Sequence, residues 1–183
     1  MDKTPLFILF LILIWVIPVS ARTPAVEVRA VWLTTNYGLD WPHNRTSEAA
    51  QKKELIDILD NLKKHNFNTI LFQVRGRGEV LYKSNIEPMS TLIAHDRQGN
   101  PMFDPLAFVI DEAHKRGLSC HAWIVTYPLG GDRHVKSLGS KSVTKTKPNI
   151  VKRFKNEWFL DPGVPATDDY ILSIVKEIVT NYD

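Results

Sequence analysis

The chain has 183 residues, 44% of them hydrophobic and 23% charged, with a net charge of +3. This is the composition of an ordinary globular domain and leaves every class of partner open. The single cysteine, Cys120, excludes an intramolecular disulfide and a lipidated lipoprotein signal, so a secreted fold has to rest on its core.

Residues 1–21 read as a secretory signal. Lys3 supplies a weak positive charge, Leu6 to Ile17 is an uninterrupted apolar run, and Val19-Ser20-Ala21 places small residues at the cleavage positions. The run is shorter than the ~20 residues that span a bilayer, and no other segment approaches that length. The expected mature chain, residues 22–183, is exported to the periplasm or beyond with no stable membrane anchor. An uncleaved anchor is the alternative.

Val26 to Thr34 is an apolar, β-branched run that opens into Asn36, Tyr37, Asp40, Trp41 and Pro42. Glu48 to His65 follows as a helix, with Leu55, Ile58, Leu59 and Leu62 spaced along one face. A second run, Thr69 to Val74, opens into Arg75, Arg77, Glu79 and Tyr82, and Lys83 to Phe103 is a long loop. Asp104 and Pro105 are the cap and first-turn signals of a second helix, which carries Leu106, Val109, Ile110 and Ala113 and stops at Gly117. The third run, Cys120 to Val125, contains His121 and Trp123 and leads to Tyr127. Tyr127 to Trp158 is another long loop, and a third helix starts near Pro165 to Asp168 with Ile171, Ile174, Val175 and Ile178 on one face.

Runs apolar on both faces, alternating with amphipathic helices, predict an α/β fold with a parallel sheet covered by helices. Right-handed crossovers place all the strand ends on one edge, where parallel barrels and open sheets bind their ligands. Three clusters in series therefore predict one shared pocket. Aromatic rings beside side chains that form paired hydrogen bonds suit the apolar faces and hydroxyl edges of sugars. A TIM (β/α)8 barrel takes about 250 residues, so three βα units correspond to its N-terminal part, and the sequence reads as cut short where a fourth strand would begin.

Several residues carry two readings. Trp41 either stacks on a sugar or plugs the barrel mouth, and Asp40 either binds or caps a turn. Gln73 and Arg75 stand two apart on a strand and so share a face; Arg75, costly inside a barrel unless paired, meets either a carboxylate or the substrate. Gln73-Val-Arg-Gly-Arg-Gly-Glu79 lacks the lysine and hydroxyl of a P-loop, and Leu81 stands where the dinucleotide fingerprint has its third glycine, so no cofactor is expected. The histidines show no metal-ligand spacing, so no metal is expected either. Arg133 to Lys155 holds eight Lys or Arg and no Asp or Glu: a solvated surface, or a cover over the pocket that favours an anionic polymer. It lacks interleaved aromatics, which argues against nucleic acid.

The segments EVRAVWLTTNYGLDWP, LFQVRGRGEVLYKSNIEPMS, FDPLAFVIDEAHKRGLSCHAWI and WFLDPGVPATDDYILSIVKEIVTNYD together resemble the N-terminal part of the glycosyl-hydrolase-like family 10 barrels, which are exported bacterial proteins. The resemblance implies a TIM-barrel-like domain and glycoside hydrolysis, with some members acting on peptidoglycan glycan strands stripped of their peptides. It extends to Asp40, Trp41, Gln73, Arg75, Tyr82, His121 and Trp123 as pocket-lining positions. Departures are Gly76 where the family more often has Pro, Glu79 where it more often has Asp, and Val125-Thr126 where it commonly has Asn-Pro. In relatives the segment like Tyr182-Asp183 runs into a strand ending in paired aspartates, the implied catalytic region.

The residues and the resemblance thus predict a polysaccharide-cleaving enzyme whose main carboxylates lie beyond Asp183. Its substrate-binding set is Asn36, Asp40, Trp41, Gln73, Arg75, Glu79, Tyr82, His121, Trp123 and Tyr127. Asp40 and Glu79 are the two carboxylates at hand, as binding residues first. The alternatives are a non-catalytic carbohydrate-binding protein on the same scaffold and an inactive fragment.

Overall fold

The computed structural model describes residues 27–182; the segment read as a signal lies outside them. Strand β1 (Ala30–Leu33) leads through a 3-10 turn at Asn36–Gly38 to helix α1 (Glu48–Lys64). Strand β2 (Thr69–Gly76) turns back into the short β3 (Glu79–Val80), and an irregular segment leads to α2 (Pro105–Lys115) and β4 (Ser119–Ile124). Then follow β5 (Pro128–Gly131), α3 (Asp132–Ser137), α4 (Val143–Thr146), β6 (Val151–Phe154), β7 (Glu157–Leu160) and α5 (Pro165–Asn181).

The two earlier long helices begin where the sequence marks them. Ser47 Oγ accepts a hydrogen bond from Ala50 N at 3.2 Å, and Asp104 Oδ1 accepts one from Ala107 N at 3.1 Å, caps worth about 1 kcal/mol each. Strand β2 is central, pairing in parallel with β1 on one side and β4 on the other, so that Trp32, Leu71 and His121 lie in one row and Leu33, Phe72 and Ala122 in the next. The helices cover one face. Leu55 and Leu59 from α1, Val109 and Ala113 from α2, and Ile174 from α5 share a buried core with Ile70, Phe72 and Val74. At roughly 1.5–3 kcal/mol per fully buried side chain, this layer is the main term holding the sheet.

The opposite face differs from the expectation of a sheet covered on both sides. Among the described residues it is largely open: Trp32 is 59% exposed, and Ala30, Ser119 and His121 also stand in solvent, while Gln73 at the carboxyl end of the face is buried under the turn after β1. Trp32 and Trp123 meet edge to face there, with ring centroids 4.8 Å apart.

The predicted loop from Tyr127 to Trp158 is also more ordered than expected. It folds into an antiparallel sheet in the order β5-β7-β6, anchored by buried Leu129, Val135, Val143, Ile150 and Leu160. Those five apolar residues are spaced too irregularly for either a helical or an alternating pattern to stand out. The lysines and arginines of the basic run stay exposed on this small sheet and its short helices.

Candidate functional site

The parallel strands end at Leu33, Gly76 and Ile124, and the residues beyond them decide what this edge presents. Gly76 pairs with Glu79 in the β2–β3 hairpin, so the turn is Arg77-Gly78, with φ of +55° and +74°. A tight two-residue hairpin needs this left-handed backbone. At Gly78 a Cβ would also come within 3.0 Å of Leu129 Cδ2. Arg77 has no such freedom, and an L side chain held there costs roughly 1–2 kcal/mol. Tyr37, in the turn after β1, is left-handed as well, at φ +58°. The two strained residues meet: the Arg77 guanidinium lies over the Tyr37 ring, 3.9 Å from its centroid.

A cavity of about 460 Å³ opens beside this stack, walled by Tyr37, Arg45, Arg77, Glu79, Arg133 and His134 among others. Arg45 Nη2 donates to Tyr37 O at 3.1 Å, and His134 Nε2 donates to Arg77 O at 3.0 Å, so the long loop after β4 is tied to the β2–β3 turn. Glu79 is buried, 3.8 Å from Arg77 Nη2, and its Oε2 has no hydrogen-bond partner. Burial holds its carboxyl above the ordinary value of 4.5, with His134 and Arg77 opposing the shift. The folded protein therefore keeps a proton on Glu79 that the unfolded chain has already released, and stability is lost as pH rises from 4.5 through the raised pKa. Glu79→Gln should flatten that decline and be the more stable form at neutral pH. Urea midpoints measured across this pH range check it; parallel curves for the two proteins would mean that Glu79 titrates normally.

The predicted binding residues do not converge on this cavity. Gln73 is buried and works as a hub, its Oε1 accepting from Thr34 Oγ1, Thr35 N and Asn36 N at 2.6–2.9 Å. Asp40 Oδ2 accepts from Thr34 N at 2.8 Å and closes the turn after β1. Asn36 has a buried Oδ1 without a partner. Trp41 is fully buried, packs on Phe72 and donates from Nε1 to Gln51 O at 2.8 Å, so it is a core residue.

Arg75 is corrected in the same way. Its side chain and that of Glu87 are both wholly buried; Nε and Nη2 each lie 2.7 Å from a Glu87 oxygen, and Nη1 donates to the carbonyls of Val125 and Thr126. Burial alone would lower the Arg75 pKa, but Glu87 outweighs it and holds the guanidinium above its ordinary value. Tyr170 OH completes the network on Glu87 Oε1 at 2.7 Å. The β2–β4 register shifts between Gln73 and Arg75, which interrupts the alternation that would have aligned their side chains. Tyr82 is buried too, edge-on to Tyr182.

The remaining three lie apart. His121 and Trp123 belong to the open sheet face, His121 bordering a cavity near the start of the strands with Ala30, Leu71 and Ser119. Tyr127, 39% exposed, lines an apolar groove with Phe154 and Phe159. The single shared pocket is thus replaced by one cavity at the strand ends, of which Glu79 is the predicted member. Arg45 and His134 were not singled out, and Arg133 entered only as one end of the basic run read as a surface or a cover; nothing short of the tertiary contacts brings residues so far apart in the chain together. Trp32 carried a legible signal, its period-two alternation with Ala30 and Thr34.

This architecture is mixed α/β, with helices backing parallel strands as in part of a barrel. In keeping with that, the fold is similar to the crystal structure of a hypothetical protein from Ruminiclostridium thermocellum ATCC 27405, with a TM-score of 0.51 and 16% identity, covering 84% of this chain and 70% of that one. The chain belongs to the family described as Glycosyl hydrolase-like 10, whose model matches residues 27–183. Among its relatives, the glycosyl hydrolase DigH of Escherichia coli (strain K12) is 37% identical over 182 residues, a match to 90% of this chain and 42% of that protein. The glycosyl hydrolase YngK of Bacillus subtilis (strain 168) is 32% identical over 159 residues, 86% of this chain and 31% of that protein. The chain thus spans less than half the length of these relatives.

Proposed function

We propose that this protein is an exported glycoside hydrolase that cleaves a polysaccharide, in particular peptidoglycan glycan strands, and that its three βα units are the first part of a (β/α)8-like barrel. The cavity at the carboxyl edge of the parallel strands carries this reading, because that edge is where such barrels hold substrate. Tyr37 presents a ring that is 59% exposed, and one face of a pyranose stacks on such a ring while its hydroxyls meet the arginines around it. Family membership and two relatives named as glycosyl hydrolases support the reaction class. The open sheet face with Trp32 and Trp123 supports the barrel, whose interior it becomes once further strands pair with β1 and β4.

Glycoside hydrolysis uses two positioned carboxyl groups. Glu79 is sealed into the cavity wall and Asp40 is committed to its turn, so the reading assigns the catalytic pair to the greater length that the relatives possess. Full-length protein should release reducing ends from glycan strands stripped of peptides. Tyr37→Ala should lower kcat/KM about ten- to a hundredfold, the loss of one stacking partner, with little change in melting temperature. Binding without release of reducing ends would favour the carbohydrate-binding alternative; neither binding nor release would sink both readings.

A further inference from the structure

Three guanidinium groups border the strand-end cavity, and only one of them has an acidic partner. Arg77 lies 3.8 Å from Glu79, whereas Arg45 and Arg133 make no ion pair among the described residues. The cavity wall thus carries at least two positive charges in excess. Arg77 Nε is buried without a hydrogen-bond partner, so the protein does not satisfy this guanidinium by itself. Both members of the Tyr37–Arg77 stack hold a left-handed backbone that neither residue favours. Strain of that kind persists where the surrounding structure imposes it: the hairpin does so at Arg77, and the stack holds the guanidinium and the Tyr37 ring together at the cavity's edge.

From this cluster we propose that Arg45, Arg77 and Arg133 form a subsite for a carboxylate carried by a sugar ring, the ring itself lying against Tyr37. The subsite rests on the glycan-binding reading above and narrows it from polysaccharides in general to acidic ones. A guanidinium offers a planar fork that matches the two oxygens of a carboxylate, and a charge-assisted bond in a recess is stronger than one in open solvent. The cavity, at about 460 Å³, is large enough for a monosaccharide with its substituent. Glu79 does not spoil it. Its carboxyl is held toward the neutral form by burial, and among the described residues the groups beside it on this cavity are the guanidiniums of Arg77, Arg45 and Arg133 and the imidazole of His134.

Two sources present the same group: a uronic acid, and the lactyl ether of N-acetylmuramic acid in a glycan freed of peptide. Calorimetric titration of the full-length protein with four probes separates them. These are a muramic-acid disaccharide, its methyl ester, a glucuronic-acid disaccharide and neutral chitobiose. At least one acidic sugar should bind about tenfold or more tightly than the ester and chitobiose, and the tighter acid names the source. Arg133→Gln and Arg45→Gln, both at exposed positions, should each reduce that preference about three- to tenfold, with a larger loss of affinity for the acid than for the ester and no change in melting temperature. Equal affinity for acid and ester, unchanged preference in both variants, or no binding of any probe overturns the subsite. Selective acid binding by a protein that cleaves no glycan keeps the subsite and removes the hydrolase reading, and cleavage of neutral glycans without acid preference does the reverse.

Discussion

Arg75→Ala should destabilise the protein by about 3–5 kcal/mol, the cost of leaving one partner of a buried ion pair alone. Glu87 would keep its place with neither guanidinium nitrogen to accept from, inside a region where both side chains are wholly shielded from water. The carbonyls of Val125 and Thr126 would lose their donor at the same time, so the segment after β4 loosens along with the core. Glu87→Gln should cost less, because the amide still accepts from one nitrogen and from Tyr170. Replacing both partners at once, Arg75→Met with Glu87→Leu, should recover much of the loss, since no charge is then left buried. Urea denaturation of the four proteins gives the comparison. An Arg75→Ala midpoint indistinguishable from that of the parent would mean that water reaches this network and that the pair is not structural.

Trp41→Ala should cost a similar amount, about 3–5 kcal/mol, by opening a cavity between α1 and the sheet. The ring is fully buried against Phe72, and its indole N–H satisfies the carbonyl of Gln51. Gln51 is itself fully buried and joins two stretches of irregular chain: Nε2 donates to Asn44 O and Leu92 O at 2.7 Å, and Oε1 accepts from Ala94 N at 3.0 Å. Trp41→Phe keeps most of the packing and should cost less, mainly the roughly 0.5–1.5 kcal/mol of one lost hydrogen bond, because Gln51 O lies within α1. On the proposed glycan-binding reading, neither variant should change affinity for the sugar once measured below its own melting temperature. A Trp41→Phe protein of parental stability that had lost glycan affinity would return this ring to the binding surface.

Periodicity and capping were enough to read the three parallel strands and the three long helices, though not β3 or the small sheet of β5, β6 and β7. Ser47, Asp104 and Pro165 stand at the starts of the three long helices, and the apolar rows of α1, α2 and α5 face the core as their spacing requires. The site was less legible because the same residue types serve both purposes. An Arg, a Trp or a Tyr just past a strand end reads as a ligand contact, yet Arg75 found Glu87 twelve positions on, Trp41 found Gln51, and Tyr82 packed against Tyr182. Glu87 sits in a segment with no pattern of its own, and the periodicity of the helices that hold Gln51 and adjoin Tyr182 does not say which stretch of chain will pack against them.

Local physical chemistry in the sequence was sufficient to determine the order of the three parallel strands and the three long helices, the faces those helices bury and the family to which the chain belongs, since all of these depend on neighbours within a few residues or on the matched string itself. Only the tertiary structure decided which polar side chains are satisfied inside the protein and which are left facing a cavity. That outcome depends on pairings across long stretches of chain: Arg75 with Glu87 and Tyr170, Gln73 with the turn after β1, and His134 with the Arg77 carbonyl. A buried donor must find an acceptor, and once Arg75, Gln73 and Trp41 had found theirs, the cations left around the strand-end cavity were Arg45, Arg77 and Arg133.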